Sequence, residues 1–193
     1  EETVEQKSGD FQWIIDPLDG TTNFLHQLPC FSISVALRHK EETILGIVCE
    51  VNMRECFYAW KEGGAYLNGQ KISVTKTNNL KDSLIATGFP YYDYDRVKSY
   101  LKVLEYFMHS TRGIRRLGSA AVDLAYVACG RFDAFFEYSL KPWDVAAGAF
   151  IVREAGGLVT DFSGGENFLF GKELIAVNQG ISTDVLDIIK KEF

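Results

Sequence analysis

The sequence predicts a layered α/β fold, in which sheets and helices pack against one another around a shared core. Roughly the first 75 of the 193 residues read as short strands joined by tight connections, a pattern typical of an antiparallel meander. Beyond them, helical spacing or helix end signals mark four stretches, at 95–110, 118–130, 142–157 and 182–192. Short strands lie between these helices, which favours a layered fold over a β-sandwich or a helical bundle.

The strands of the first part follow from short apolar or alternating runs. Residues 11–16 form a buried-looking run, and residues 31–38 alternate between apolar and polar side chains. Further strands are predicted at 43–51, at 55–60 and on both sides of Asn68-Gly69. The Asn-Gly pair predicts a two-residue hairpin turn, because both residues tolerate positive φ angles.

The second part alternates strands with helices. A short strand is predicted at 83–88, before the first helix. The helix at 118–130 has Ser119 as its N-cap and stops at Gly130, and the following helix has Pro142 near its start. Further strands are predicted at 131–138, 158–163 and 173–178.

The composition predicts one ordinary globular domain. We expect a single domain over residues 1–193, mainly antiparallel sheet over 1–90 and α/β over 91–193. With 47% hydrophobic residues the chain can bury a core, and its net charge of −6 argues against nucleic-acid or membrane binding. The apolar runs are too short to span a membrane, and Glu1-Glu2 do not resemble the start of a signal peptide.

The cysteines indicate a reducing compartment. The chain has four of them, Cys30, Cys49, Cys56 and Cys129, without the spacing of a metal site. We therefore expect reduced, partly buried thiols in a cytoplasmic protein.

The stretch Asp16-Pro17-Leu18-Asp19-Gly20 directly follows the first long predicted strand. Pro17 has a fixed φ and no N–H, so the chain is expected to leave the strand at Asp16. Asp16 and Asp19 then lie across a turn and can face the same cleft. An alternative stays open here, because Asp, Pro and Gly are also the usual residues of a plain polar turn.

Two neighbouring carboxylates such as Asp16 and Asp19 repel each other unless a proton or a cation lies between them. Hard divalent cations prefer oxygen ligands, and the Leu18 carbonyl offers a third one. Gly20 and Thr21 are expected to open a helix whose free N–H groups can bind an anion such as phosphate.

A second candidate acid is Asp144, in Lys141-Pro142-Trp143-Asp144. It falls in the first turn of a predicted helix, where an acid can simply cap the helix or balance its dipole. The small residues at 145–149 permit close packing of this helix, which would fix Asp144 in space. Glu1-Glu2 form a third acidic candidate, although alone they read as a solvated terminus.

These motifs together resemble the inositol monophosphatase family, whose members are magnesium-dependent, lithium-sensitive phosphomonoesterases. The stretch "WIIDPLDGTTNFLH" is similar to the first family signature, and "KPWDVAAGAFIVREAGGLVTD" is similar to the second. "GIRRLGSAAVDLAYVACGRFDAFFE" resembles the family between them, and "EET" resembles the remaining part of its Gly-Glu-Glu element. The resemblance runs from Glu1 to about Asn178.

The resemblance implies a role for each matching acidic position. Glu1 corresponds to a metal ligand that also helps activate the attacking water, and Asp16 to an aspartate that bridges two metals. The Leu18 carbonyl completes the first metal site, while Asp19 and Asp144 belong to the second. Two or three Mg²⁺ ions per site are implied, and all-oxygen ligation argues for Mg²⁺ over zinc.

The resemblance also implies a substrate site. Gly20 and Thr21 correspond to backbone amides that contact phosphate, and the Thr21 hydroxyl to the group that orients the attacking water. Glu137 matches a glutamate that contacts inositol hydroxyls. Gly118, Ser119 and Ala120 match a segment that lines the pocket.

The family fold implies a five-layer α-β-α-β-α sandwich of the sugar phosphatase type and a homodimer. The implied reaction is the hydrolysis of a small phosphate monoester, such as myo-inositol 1-phosphate or a related polyol or sugar phosphate, by metal-activated water. No protein nucleophile is needed, so Cys30 and His26 are expected to be packing or surface residues. None of the cysteines has the arginine six positions later that a Cys-dependent phosphatase needs.

Two alternatives remain open. Thr22 to His26 resemble the inositol monophosphatase branch, but a nucleotide or fructose bisphosphatase of the same superfamily is a runner-up, because a few pocket contacts give only about 1–3 kcal/mol of discrimination. A regulatory relative that binds RNA or protein is the other, with Arg112, Arg115 and Arg116 as its basic cluster.

The family has a segment with helices and a strand pair before the Gly-Glu-Glu element, whereas this sequence begins at Glu1. We expect that segment to exist in the molecule outside this sequence, either disordered or cleaved, since a chain without the two helices would expose a large apolar face. The alternative is that the chain is a true fragment. Without the segment, Glu1 would be an unreliable metal ligand at a frayed terminus.

Overall fold

A computed structural model of the chain describes residues 7–90 and 93–193. Within them, two sheets alternate with layers of helices. Glu1 and Glu2, the third acidic candidate, lie outside the described residues.

The first sheet is an antiparallel meander of seven strands in sequence order, as the sequence predicts. Each strand pairs antiparallel with the next one along the chain. The strands are β1 (Lys7–Ser8), β2 (Phe11–Asp19), β3 (Ser32–His39), β4 (Glu42–Glu50), β5 (Glu55–Trp60), β6 (Gly64–Leu67) and β7 (Gln70–Ile72).

The hairpin prediction at Asn68-Gly69 is confirmed. These two residues form the whole connection between β6 and β7, and their φ angles are 48° and 86°. Positive φ at both central residues is the requirement of the turn that matches the strand twist.

The second sheet has five strands in the order β11-β12-β10-β8-β9. Its strands are β8 (Leu84–Thr87), β9 (Gly113–Arg115), β10 (Ala134–Tyr138), β11 (Leu158–Thr160) and β12 (Glu173–Val177). β8 pairs parallel with both β10 and β9, whereas β12 pairs antiparallel with β10 and β11. The sequence did not predict β9, which is only three residues long.

The helices are α1 (Thr21–Leu25), α2 (Val97–Ser110), α3 (Ala120–Ala128), α4 (Pro142–Glu154) and α5 (Ser182–Glu192). The Ser119 hydroxyl accepts a hydrogen bond from the Val122 N–H, which confirms Ser119 as the N-cap of α3. No helix in the described part combines the length and the apolar character that crossing a bilayer requires.

The layers are assembled around α3 and α4, which pack against each other between the two sheets. Their apolar residues share one core with those of β2–β6, β10 and β12, and α2 and α5 pack on the opposite face of the second sheet. This β-α-β-α arrangement confirms the predicted layered α/β class, and it supplies four of the five layers that the family fold implies.

The outer face of the seven-stranded sheet is apolar and exposed. Its large side chains are between 44% and 47% exposed and include Phe11, Trp13, Ile15, Ile33 and Trp60. Ile14, which points the other way from β2, is buried in the core. Among residues 7–90 and 93–193, no helix covers this face.

Small residues bring α4 close to its neighbours, as the sequence predicts. A Cβ atom at Gly148 would lie 2.5 Å from the Leu124 Cβ on α3, and one at Gly46 on β4 would lie 2.7 Å from the Ala147 carbonyl oxygen. Both distances are shorter than real Cβ contacts. The close approach fixes α4, and with it the first turn that carries Asp144.

The prediction that the strand ends at Asp16 is wrong, because β2 continues to Asp19. Asp16 lies opposite Ser34 and Asp19 opposite Ser32, so the strand has an irregular register between the two acids. Pro17 falls inside this irregularity, where the missing N–H of proline costs no ladder hydrogen bond.

The prediction of four reduced thiols is also wrong. Cys49 on β4 and Cys56 on β5 are directly opposite each other and form a disulfide, whereas Cys30 and Cys129 are free. The pairing depends on the register of two strands, which cysteine spacing alone does not reveal.

Candidate active site

A cavity of about 290 Å³ opens where five segments of the chain meet. These segments are the end of β2 with the start of α1, residues 88–90, the approach to α3 with its first turn, the end of β10, and the first turn of α4. The cavity therefore collects side chains from both halves of the sequence.

Three aspartates converge on this cavity, and we call them the acidic triad: Asp16, Asp19 and Asp144. Each places one carboxylate oxygen within 4.8 Å of those of the other two. The structure thus brings together the acids that two separate sequence motifs suggested.

The turn around Asp16 is held by short-range hydrogen bonds. The Leu18 N–H donates to Asp16 Oδ1 at 2.9 Å, and the Thr21 hydroxyl donates to the Leu18 carbonyl oxygen at 2.9 Å. These contacts fix the Leu18 carbonyl and the Thr21 side chain beside Asp16. A carbonyl oxygen has two lone pairs, so the Leu18 oxygen can still accept a second contact.

Asp19 is the buried member of the triad, with 8% of its surface exposed. Its Oδ2 accepts hydrogen bonds from the Ser119 hydroxyl and from the Ala121 N–H, the latter at 2.9 Å. Burial raises the pKa of Asp19 to about 6, although both hydrogen bonds lower it. A cation beside this carboxyl would favour its ionised form.

Asp144 caps α4 as well as joining the triad. Its Oδ2 accepts a hydrogen bond from the Lys141 N–H at 2.7 Å, and the Asp144 N–H donates to the Lys141 backbone carbonyl oxygen at 3.1 Å. A carboxylate has more acceptor positions than this one bond uses. The capping role and the role in the cavity are therefore compatible.

Gly20 sits at the start of α1, where no other residue fits. Its φ is +89°, and a Cβ atom here would lie 2.9 Å from the Cys30 carbonyl oxygen. The turn at Gly20 directs Thr21 and Thr22 along the cavity wall. This confirms the predicted helix opening, although α1 has only five residues.

The predicted substrate segment also lines the cavity. Gly118, Ser119 and Ala120 lie on its wall, and Glu137 at the end of β10 lies there as well. Gly118 has a φ of +93° and passes close to the amide of Asn23. That amide donates to the Cys30 carbonyl at 2.7 Å and to the Leu117 carbonyl at 2.8 Å, which ties α1 to the approach of α3.

Beside these residues lies a second charged group, which we call the α3–β10 wall: Arg116, Asp123 and Glu137. Burial raises the pKa of Asp123 and of Glu137 well above their usual range, while the Arg116 cation lowers both. Reasoning from the sequence missed Asp123 in the cavity. The available signal was a single acid within the apolar helix "AAVDLAYVA".

The donor set of the triad suits a hard divalent cation. It offers carboxylate oxygens only, without histidine or cysteine, and the Leu18 carbonyl lies on the same cavity wall. Oxygen ligands of this kind select Mg²⁺, Ca²⁺ or Mn²⁺ over zinc.

Comparison with known protein families identifies the family of this chain. A model described as the inositol monophosphatase family matches residues 1–190. The chain belongs to the inositol monophosphatase family. The resemblance drawn from the two signatures is therefore confirmed, and with it the membership in a family of phosphatases.

Relatives and solved structures of this family agree over most of the chain. The putative Nus factor SuhB of Neisseria meningitidis serogroup B is 46% identical over 94% of this chain and 70% of its own length. The Thermotoga maritima IMPase is 44% identical, with a TM-score of 0.88 over 96% of this chain and 71% of that one. The SuhB structure from Bartonella henselae superposes with a TM-score of 0.91 at 40% identity, covering 97% and 75%.

Several of the similar proteins are named as Nus factors. The Escherichia coli relative, 42% identical over 98% of this chain and 71% of its own length, is called Nus factor SuhB. The expectation that nucleic acid is not a partner therefore finds no support among these relatives, and it needs a test.

Proposed function

We propose that this protein is a Mg²⁺-dependent phosphomonoesterase that hydrolyses a small polyol or sugar monophosphate, with myo-inositol 1-phosphate as the first candidate. The observation that carries the proposal is the convergence of Asp16, Asp19 and Asp144 in one cavity beside Thr21. Glu1, which the resemblance adds to this ligand set, lies outside the described residues.

The acidic triad would hold the cations, of which the proposal places two or three in the site. The carboxylates of Asp16, Asp19 and Asp144 would share them with the Leu18 carbonyl. Bound Mg²⁺ would supply the charge that makes an anionic ester attackable and lowers the pKa of a bound water. The charge of the triad suits this purpose, because three carboxylates held within 4.8 Å repel one another without a cation.

Thr21 is proposed to position the attacking water. Its hydroxyl is held at 2.9 Å from the Leu18 carbonyl oxygen, so its orientation is fixed relative to the triad. Gly20 and Thr21 are proposed to contact the phosphate through their backbone. The Cβ-free Gly20 permits this turn, since a side chain would collide with the Cys30 carbonyl.

The free cysteines support water rather than a thiol as the nucleophile. Burial raises the pKa of Cys30 to about 12, and the nearby carboxylates Asp123, Glu50 and Asp19 contribute to that rise. Burial also raises the pKa of Cys129. Thiols that stay protonated at neutral pH are poor nucleophiles.

The alcohol part of the substrate is proposed to lie against Gly118, Ser119, Ala120 and Glu137. Support comes from the inositol monophosphate-bound crystal structure of SaIMPase-II, which is 26% identical to this chain and superposes with a TM-score of 0.84. The same family likeness leads us to propose lithium sensitivity and a homodimer.

Phosphate release from a panel of monophosphates and bisphosphates would test this proposal. We expect Mg²⁺-dependent release from myo-inositol 1-phosphate that lithium inhibits, and slower release from fructose 1,6-bisphosphate and from a nucleoside 3′-phosphate. Faster release from either of the last two would assign the protein to the fructose bisphosphatase or nucleotide phosphatase branch of the superfamily instead. An absence of release from the full-length protein with every substrate would contradict the proposal.

A second function is suggested by the names of the relatives, namely an association with RNA or with the transcription machinery. The structure separates the three arginines that the sequence grouped. Arg115 is exposed on β9, Arg112 forms an ion pair with Asp82 at 3.3 Å, and Arg116 lines the cavity. RNA retention that Arg115→Glu abolishes would favour this function, and equal retention by both proteins would leave that surface without a role.

A further inference from the structure

Asp123 is a buried acid that the proposed mechanism does not use. It lies in the first turn of α3 and is 1% exposed. Its Oδ1 atom is buried and has no hydrogen-bond partner within residues 7–90 and 93–193. A buried acceptor without a partner is costly, so native structures usually provide one from water or a ligand.

The surroundings of Asp123 point to a ligand in the cavity. The side chain lines the same cavity as the acidic triad, yet it is outside the group whose oxygens lie within 4.8 Å of one another. Its charged neighbours are Glu137 on β10, Asp19 on β2 and Arg116 before α3. The wall therefore presents oxygen acceptors with a single guanidinium, which suits hydroxyl groups better than a second phosphate.

Other buried acids of the chain show that such an unpartnered oxygen is unusual. Asp133, at 5% exposure, accepts from the Thr75 hydroxyl at 2.6 Å and from the Leu84 N–H at 2.7 Å. Asp161 accepts from the N–H groups of Ser163 and Gly165. Both are held by protein groups, whereas Asp123 has an oxygen left for another molecule.

We propose that Asp123 is a specificity-determining residue, whose Oδ1 accepts a hydrogen bond from a hydroxyl group on the alcohol part of the substrate. The proposal rests on the proposed function and adds a contact to it. The substrate class that it selects is a phosphate ester of a polyhydroxylated alcohol. A phosphate monoester whose alcohol part carries no hydroxyl besides the esterified one would make no hydrogen bond to Asp123.

The experiment compares two substrates in the full-length protein with Mg²⁺: myo-inositol 1-phosphate and p-nitrophenyl phosphate, whose leaving group has no further hydroxyl. For Asp123→Ala we expect the ratio of kcat/KM values, inositol phosphate over nitrophenyl phosphate, to fall about tenfold, as loss of one buried hydrogen bond predicts. Asp123→Asn keeps an acceptor oxygen and should recover most of the ratio.

Asp133→Asn is the matched control, because it alters a buried acid that is bonded within the protein. It should change both rates by the same factor. An unchanged ratio in Asp123→Ala, whether both rates persist or both fall, would overturn the inference and would mean that water alone fills the site. An Asn variant no better than the Ala variant would also overturn it. Wild-type protein that hydrolyses neither ester would overturn the proposed function, and the inference with it.

Discussion

Asp16, Asp19 and Asp144 bring their oxygens within 4.8 Å of one another, whereas Asp123 and Glu137 line the same cavity without joining that group. Both sets are acidic and both lie close to the junction of α3 and α4. The triad concentrates negative charge at one point, which favours a divalent cation. The α3–β10 wall instead places its acids beside a guanidinium, which favours hydrogen bonds to a neutral group. Acidity alone therefore does not define a metal site, because convergence of the oxygens is also needed.

The largest expected effect comes from breaking the triad at Asp144. Asp144→Asn keeps a side-chain oxygen to accept from the Lys141 N–H, so α4 should still form. We expect kcat/KM for myo-inositol 1-phosphate to fall about 100-fold or more, because a charged ligand for the cation is lost. Asp184→Asn is the control, since Asp184 lies in the first turn of α5. Equal activity in the two variants would contradict the role of the triad.

The ionisation of Asp19 should change the free energy of unfolding with pH, which tests the charge of the triad. Its pKa in the folded protein is about 6 against an ordinary 3.8, a rise that corresponds to about 3 kcal/mol. A raised acid pKa favours folding at low pH, and this contribution is lost as the pH rises from about 4 to above 6. Without metal, wild-type protein should therefore lose stability relative to Asp19→Asn over that range.

Urea unfolding at about pH 4.5 and pH 8, on either side of the folded-state pKa, with EDTA or with Mg²⁺, would measure this difference. Mg²⁺ should restore the stability of the wild-type protein at the higher pH and should have little effect on Asp19→Asn. Parallel pH curves for the two proteins in EDTA would show that Asp19 is not held in an unfavourable charged state.

Gly148 tests the packing that places α4 against α3. Gly148→Ala would put a Cβ atom 2.5 Å from the Leu124 Cβ, and overpacking of this kind costs about 1–3 kcal/mol. The shift between the two helices should displace both the triad and the α3–β10 wall, so activity should fall by a similar factor for every substrate. Adding Leu124→Ala leaves the Leu124 Cβ in place but removes Cδ1, which would lie 2.8 Å from the new Cβ atom, so it should relieve only part of the clash. Additive effects of the two changes would argue against direct contact.

The smallest expected effect concerns Ser119, whose hydroxyl donates to Asp19 and caps the helix that carries Asp123. Ser119→Ala removes the N-cap bond to the Val122 N–H and the hydrogen bond to Asp19. We expect a loss of about 1 kcal/mol in stability and a further rise in the pKa of Asp19. Ser119→Thr should behave like wild type in both thermal unfolding and the pH dependence of activity. No difference between the Ala and Thr variants would contradict a stabilising role for the Ser119 hydroxyl.

The sequence predicted the elements with strong local signals. Asn68-Gly69 and Ser119 are examples, because a turn or a cap depends on only a few neighbouring residues. It also grouped Asp16 and Asp19, which are three positions apart. Asp144 joined them through the family resemblance, since spacing alone cannot bring residues so far apart in sequence to one cavity.

The wrong or missed predictions have a common cause: each concerns a feature that depends on how distant parts of the chain pair or pack. The pairing of Cys49 with Cys56 follows from the alignment of β4 and β5, and the continuation of β2 past Pro17 follows from the irregular pairing with β3. Asp123 was overlooked because an acid on an apolar helix does not reveal what it faces. Its place in the cavity comes from the packing of α3 against β10.

Titration calorimetry of Mg²⁺ into full-length wild-type protein and into Asp16→Asn tests the central claim most directly. We predict saturable binding at neutral pH to the wild-type protein and strongly weakened binding to the variant, because a charged oxygen ligand is replaced by a neutral one. Identical Mg²⁺ binding by the two proteins, or none by either, would contradict the assignment of the acidic triad as a cation site.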